Sequence, residues 1–448
     1  MKRTFLYFLA VVMAVVACQD DDDFSTSTGV RLTFPCDTLT MDTVFSRTPS
    51  STYTFWVYNN NDTGIRMQSV RLKRGNQTGF RVNVDGIYLD NSNGSQTSGL
   101  EIRSNDSLLV FVELTPAETG QLEPVVVEDD LLFELESGVE QRVCLQAWSW
   151  DARRLYDPVI AKDTLIESAQ PLVIFGDMRV EEGVTLTIRN TSLYFHDSSG
   201  LEVFGSLHTD SCLMRGDRLD YMFSYLPYDR VSGQWKGISF KASSTDNQLV
   251  DTEIRNATAA VVCDSAAIDS LRPRLTMERC VVHNAAGCGV MAVNAYLVLK
   301  ECQLSNTLDN CLSVSGGIAE IYKCTLAQFY PFAVSAEALY FGNHWSGHPV
   351  PLLRLWCEDT IVTGYAEDVV AGHPDTDASI PFNYRFIHSL LRTPKVETAD
   401  SVYFSDMIWE TSKDSIQGKK HFVKIDEENL IYDFHLDSLS TAQGMGCY

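Results

Sequence analysis

Between residues 249 and 393 one arrangement of apolar and polar positions returns six times. Segments 275–284, 297–306 and 319–328 follow one another at intervals of 22 residues, and the same frame fits 247–256, 355–364 and 384–393. Aligned as columns, it stacks Leu249, Met277, Leu299, Ile321, Cys357 and Phe386. The next column holds only small residues: Thr252, Cys280, Cys302, Cys324, Thr360 and Ser389. A third is apolar, Ile254, Val282, Leu304, Leu326, Val362 and Leu391, and a fourth runs Asn256, Asn284, Asn306, Gln328, Gly364 and Thr393. Each segment has two short runs of period-2 alternation, broken by the small residue and closed by Asn, which predicts two strands joined at bends. The period near 3.6 that a helix requires is absent.

A unit of this size cannot bury its apolar face alone and must stack on its neighbours. Rungs of about 22 residues wound into a coil set like side chains over like at about 4.8 Å, the spacing of adjacent strands. The apolar columns then fill the bore. Asn suits the bend because it tolerates left-handed backbone and can hydrogen-bond its equivalent on the next rung. The expected fold is all-β, a right-handed parallel β-helix over 171–448 of about ten rungs. A leucine-rich repeat is the competing architecture, but its consensus is not reproduced.

Ahead of the coil, alternation at 52–58, 68–72, 80–84 and 107–114 is separated by turn clusters such as 59–64 and 91–94. Short strands at this spacing predict an immunoglobulin-like β-sandwich over 30–150, with 151–170 as a linker. After Gln328 the repeat lengthens: 324 to 360 is 36 residues and 360 to 389 is 29. The excess must leave the coil as two loops, one around 340–349 and one around 366–377.

The first eighteen residues read as an address. Lys2 and Arg3 precede an apolar run from Phe5 to Val16 that is too short to span a bilayer. Val15-Val16-Ala17-Cys18 resembles a bacterial lipobox, with Cys18 as the lipidation site. A signal peptide that happens to contain a cysteine is the plainer reading. Gln19 and the four aspartates 20–23 resemble the export tag of surface lipoproteins of Bacteroidota, and 19–29 otherwise reads as an acidic tether.

Further residues sharpen that resemblance. The run 183–188 (Gly-Val-Thr-Leu-Thr-Ile), the runs 193–195 and 200–207, and 234–240 (Gln-Trp-Lys-Gly-Ile-Ser-Phe) look like the opening rungs of right-handed β-helix repeat proteins of Bacteroidota. The stretches 80–86 and 106–112 look like the immunoglobulin-like domain often placed before such a coil. The resemblance covers about 170–440 and implies an outer-membrane lipoprotein exposed on the cell surface. It also implies a pectin-lyase-like fold, which does not hand over chemistry.

Charge narrows the partners. The 59 acidic residues against 35 basic ones leave a net charge of −24, which argues against nucleic acid or an anionic membrane surface. The lipid anchor is then the expected link to a membrane. Of 12 cysteines, eleven remain after Cys18, so at least one thiol is unpaired within the chain. Cys280, Cys302 and Cys324 are expected as small core residues, although their spacing would admit a disulfide. Cys36 and Cys144 flank the N-terminal module and are candidates for a bridge. With no Cys-x-x-Cys pair, no structural zinc site is implied, and no cofactor is expected.

Lyases of this fold use Lys or Arg as base, and its galacturonidases use three clustered aspartates beside Gly-His-Gly. Here Gly347-His348 and Gly372-His373 each precede Pro. Asp129-Asp130 lies in the N-terminal module, and Lys236 and Lys241 have no basic partner on a neighbouring rung. No catalytic residue is therefore assigned. The candidate ligand residues are Tyr340, His344, Trp345, His348, His373, Asp375 and Asp377, with Phe341 beside them. Aromatic rings there can stack on sugars, and the polar groups can hydrogen-bond hydroxyls. Tyr221, Tyr225, Tyr228 and Trp235 are expected to serve packing, and the Asn column to be structural. The sequence thus points to a coil that presents a rigid face to a polysaccharide or another envelope component. A polysaccharide lyase or glycoside hydrolase, and a structural or adhesin-like envelope protein, are the alternatives.

Overall fold

The computed structural model of the protein describes residues 23–333, 337–411 and 416–448. Two compact units divide it: the chain up to Asp151 together with Leu219–Tyr225, and Ala152–Arg218 together with Leu226–Tyr448. Cys18 and the lipobox lie outside the described residues.

The first unit is an immunoglobulin-like sandwich. One sheet pairs Thr38–Phe45 in parallel with Glu140–Trp150, which then runs antiparallel to Val125–Leu135, and that strand antiparallel to Ile65–Leu72. The facing sheet joins Tyr53–Asn59, Asp106–Leu114, Phe80–Val84 and Ile87–Tyr88. Alternate residues of both sheets, such as Val57, Val70, Val82, Val110, Phe133 and Leu145, fill the space between them. The acidic tether ends earlier than residue 29. Phe24 bridges to Gly64, and the Arg66 guanidinium lies 4.6 Å from the Phe24 ring centre, so burial of one aromatic draws the segment onto the sandwich. Cys36 and Cys144 are both free thiols.

The second unit is a parallel β-helix, one 26-stranded ladder. Each full turn carries three strands rather than two. In one turn these are Val281–Ala285 followed by the two halves of Val290–Lys300, and the next turn adds Gln303–Thr307 and the two halves of Leu312–Tyr322. The register reproduces the apolar columns: Leu249 faces Met277, then Leu299, Ile321, Cys357 and Phe386 in succession. Ile254, Val282, Leu304, Leu326, Val362 and Leu391 follow one another in the same way. Cys280, Cys302 and Cys324 stand in single file between these columns, all fully buried. Burial pushes the Cys302 thiol well above its ordinary range, consistent with a packing role.

Two boundaries differ from the sequence reading. Residues 151–170 are not a linker: Arg153–Tyr156, Val159–Ile160 and Thr164–Glu167 pair with the strands of the following turn and form the first rung. The coil also ends before residue 448. Ile408–Trp409 is its last ladder strand, after which come a short helical turn, Ile416–Lys419, and an antiparallel hairpin, Phe422–Asp426 with Ile431–Leu436. That hairpin and the tail fold back on the outer side of the coil. Phe422, Phe434, Ala442 and Met445 pack there on Ala327, Phe329, Ile361 and Leu390.

The bends have two sources. Asn256, Asn284 and Asn306 are left-handed, with φ of 61°, 61° and 52°, as their column predicts. The bend just before the small column is made by one left-handed residue per turn: Asp251, Arg279, Glu301, Lys323, Asp359 and His388. The expected Asn-to-Asn hydrogen bonds are not formed. Asn256 Nδ2 donates instead to the carbonyls of Asp229 and Val231, at 2.8 and 3.0 Å.

Because Glu301 is exposed, has φ of 51° and makes no ion pair among the described residues, it isolates the backbone term. Glu301→Val is expected to lower unfolding free energy by about 1–2 kcal/mol, with Glu301→Gly close to wild type. Chemical denaturation curves measure both, and equal stability of the two would contradict the bend geometry. Thiol titration of the reduced-state count is a second check. The chain is expected to release at least the eleven free cysteines on unfolding, and almost none of the buried ones beforehand.

Candidate functional site

The outer face of one strand stack changes character along the coil. Opposite the inward column, outward residues follow the order Glu253, Val281, Gln303, Thr325, Ile361 and Leu390. A second outward row runs Arg255, His283, Ser305, Ala327 and Thr363. From Thr325 onward the C-terminal segment covers this face. The Cys447 amide donates to Thr325 Oγ1 at 3.2 Å, and the Gly446 amide to Asp359 O at 2.8 Å. The cover stops at the charged end of both rows. On the other side rises an insert whose short turn, Tyr228–Arg230, is held by Arg215 on Asp229 at 2.7 Å.

Between insert, sheet and hairpin lies a cleft of about 550 Å³, within the range of small-ligand sites. Its ionic groups are largely cross-braced. Arg255 pairs with Asp229 at 3.4 Å and also with Glu253, while Arg230 reaches across to the Asn429 carbonyl at 2.5 Å. On the hairpin, Asp433 Oδ1 meets His435 Nδ1 at 2.6 Å and accepts the His435 amide at 3.0 Å. That amide, more than the imidazole, holds the Asp433 carboxyl below the usual carboxylate range. His435 stacks on Tyr448 with 4.1 Å between ring centres, and the Tyr448 hydroxyl donates to Gln303 Oε1 at 2.8 Å.

Aromatic groups line the hairpin side. Tyr432 and Phe434 are parallel at 5.8 Å, and both meet the edge of His283. Burial lowers the His283 pKa to about 3, with the Arg255 cation acting in the same direction and Asp229 against it. The imidazole is therefore neutral at pH 7, with Nδ1 2.9 Å from Ser305 Oγ. Asn284 and Asn306 also line the cleft, at 3% and 1% exposure. The Asn284 Oδ1 and Asn306 Nδ2 atoms are buried without any hydrogen-bond partner. Asn256 Oδ1, in the same column but outside the cleft, is buried without a partner too, so the feature belongs to the column of bends and not to the cleft.

None of the loop candidates lies here. Tyr340 stacks on His373 at 5.1 Å, because Leu339–Gly342 pairs with Val370–His373. Phe341 is no ligand platform: it faces the bore, 4% exposed, stacked on Phe382. His344–Trp345 forms a two-stranded hairpin with His348–Pro349, with Trp345 partly exposed and His348 exposed. Asp375 and Asp377 use their carboxylates on the loop itself, accepting the amides of Asp377 and Ser379 at 2.9 Å each. Buried Asn343 ties the two loops together, its Oδ1 accepting the Asp375 amide and its Nδ2 donating to the Ile380 carbonyl at 3.1 Å. The structure thus brings Tyr340 and His373 together and ties Asp375 to Asn343, while the 344–349 hairpin and Asp377 keep to their own turns. Among the described residues no group of three or more His, Cys, Asp or Glu is placed to hold a metal.

Other flagged residues are also committed elsewhere. Lys236 pairs with Asp177 at 2.7 Å and Lys241 with Glu202 at 3.2 Å. Asp130 is bound by Lys73 and Arg142, and Asp129 by Thr78. Trp235 is buried, stacked on Phe195 at 4.2 Å. The sequence carried one hint of the cleft, the Glu253, Arg255 and His283 positions facing out beside the Asn column. The wall they need comes from some 150 residues further along the chain.

No protein-family profile matches the chain, and no curated protein matches it either. Among solved structures, the ASH / PapD-like domain of human CEP192 (PapD-like domain 7) aligns at TM-score 0.19 and 16% identity. That alignment spans 29% of this chain and 90% of the domain. A family 123 glycoside hydrolase from Clostridium perfringens, described for glycolipid glycan hydrolysis, aligns at TM-score 0.18 and 8% identity. It spans 29% of this chain and 26% of that enzyme. Likenesses this shallow transfer no activity.

With its folded pKa below the unfolded value of about 6.5, His283 leaves stability intact above that pH and withdraws it as pH falls toward 3. The wild-type protein is expected to lose stability between pH 6.5 and 4 more steeply than His283→Gln. Parallel denaturation series for both proteins measure the difference, and identical slopes would place His283 in solvent.

Proposed function

We propose that the protein is a surface-anchored lipoprotein whose β-helix binds glycan, without cleaving it, in the cleft between the 228–231 insert and the C-terminal hairpin. The observation that carries this reading is a polar cleft of about 550 Å³ edged by the exposed, stacked rings of His435 and Tyr448. Sugars offer both an apolar ring face and a dense set of hydroxyls, so sites for them combine these elements. The carboxylates Asp229, Glu253 and Asp433 are each held by a guanidinium or an imidazole. That bracing supports recognition, since a general acid or base must reach the reacting oxygen. Anchoring through Cys18 supports a location where polymeric glycans are encountered, and the immunoglobulin-like unit would serve as a spacer. A glycan-cleaving enzyme is the second reading, favoured only by the presence of Asp229 and Glu253 in the same cleft.

Affinity gel electrophoresis against a polysaccharide panel, with product analysis, tests both readings. Retention without released oligosaccharide is expected, and release of oligosaccharide would replace binding with hydrolysis or elimination. His435→Ala, an exposed position, is expected to weaken retention by about tenfold, whereas Trp345→Ala leaves it unchanged. The reverse pattern would move the site to the 340–349 loop.

A further inference from the structure

We propose that the immunoglobulin-like unit is itself a binding module, whose outward sheet face of Tyr58, Trp56, Phe111 and Tyr88 lies against the apolar ring faces of a neutral, extended polysaccharide. Along Tyr53–Asn59, Asp106–Leu114 and Phe80–Val84, one set of alternate residues enters the core, among them Phe55, Val57, Val82, Val110 and Val112. In an antiparallel sheet with one face on the core, the other set meets water and is ordinarily polar. Here it is aromatic. Trp56 is 46% exposed, Tyr58 39%, Phe111 37% and, on the edge strand Ile87–Tyr88, Tyr88 60%.

The strand register sets these rings in a stripe. Tyr58 and Trp56 share one strand and one side of it. Trp56 lies opposite Leu109, so Phe111 stands one strand across and two residues along, roughly 7–8 Å away on the diagonal. Phe111 lies opposite Asn83, and Asn83 opposite Tyr88, which puts Tyr88 two strand spacings further on, about 10 Å. The stripe crosses all four strands of the sheet. Among the described residues, none of the four rings packs on another ring, and Trp56 Nε1 and the Tyr58 and Tyr88 hydroxyls hold no hydrogen-bond partner.

Exposed apolar patches mark contact surfaces, and the chemistry of this one selects the occupant. A sugar ring with equatorial hydroxyls offers a C–H face to an aromatic ring and hydroxyls at its rim to the open N–H and O–H groups. A wholly apolar partner would strip those groups of water and give nothing back. Charge points the same way. Within the three long strands the outward ionic groups are Arg81 and Glu113, directly opposite each other, and Glu113 also accepts the Thr52 hydroxyl at 2.5 Å. The face is therefore balanced in a chain of net charge −24, and neither a polyanion nor a polycation gains from it. Rings spread over four strands suit a polymer lying across the sheet, in contrast to a short glycan held in a cleft.

Depletion isotherms of the chain on microcrystalline cellulose and on chitin test this. Binding to at least one of these neutral solids is expected, changing less than about twofold between about 0.1 and about 1 M NaCl. Trp56→Ala and Tyr88→Ala, both at exposed positions, are each expected to weaken it about tenfold or more with unchanged circular dichroism, and Trp56→Tyr to restore most of it. Trp345→Ala, an exposed ring on the coil, is expected to match wild type. No binding of the wild-type chain to either solid would overturn this inference and leave the cleft, read by retention in soluble-polysaccharide gels, as it stands. Binding that persists at full strength in Trp56→Ala and Tyr88→Ala would also overturn it. A wild-type dimer that Trp56→Ala converts to monomer would give the face to a second copy of the chain instead.

Discussion

Everything in the second unit depends on the in-register pairing of parallel strands. Each turn must set its inward residues over those of the turn before, because a slip of one position would turn every apolar side chain outward. The columns from Leu249 to Phe386 and from Ile254 to Leu391 are the result, with the single file of buried thiols between them. Left-handed residues at the bends, from Asp251 to His388, keep the turns superposable at a local backbone cost. Burial of the apolar columns at about 25 cal/mol per Å² offsets that cost.

The same register that stacks the core also stacks the outside, and the outside carries the function proposed here. One outward row passes from Glu253 through Gln303 to Ile361 and Leu390, so a single face is charged at one end and apolar at the other. The C-terminal hairpin lies on the apolar end, where Phe422, Phe434 and Met445 find partners. It has no reason to continue onto Glu253 and Arg255. The cleft is the step left where the cover stops, bounded on its far side by the insert that Arg215 and Asn256 hold in place.

How much of this could be read from the sequence follows from what repeats. Inward columns are legible because a closed bore admits few residue types at each position, so Leu, Ile, Val and Cys recur once per turn, at intervals of 22 residues in the middle of the coil. The third strand of each turn is hard to see in the sequence because Val290–Lys300 is one long run whose bend is marked by a single residue, Asn294. The bends at Arg279, Glu301 and Lys323 were hidden because charged residues, rather than Gly or Asn, adopt the left-handed backbone there. The loop at 340–349 attracted attention through composition alone, yet Phe341 belongs to the bore and the loop aspartates to their own turns. The cleft was illegible in principle from local pattern, since outward residues need not match from turn to turn and its wall at 431–435 is distant in sequence. Asn284 and Asn306 are legible in the sequence as bends; that one amide atom of each is buried without a partner is a fact of packing.

Hydrogen–deuterium exchange of the chain, with and without a saturating oligosaccharide that it retains, examines the central claim most directly. Slowed exchange is expected at 253–256, 281–284, 303–306 and 431–435, with 340–349 and 366–377 unaffected. Protection confined to those two loops, or absent from all four cleft segments, would contradict the account.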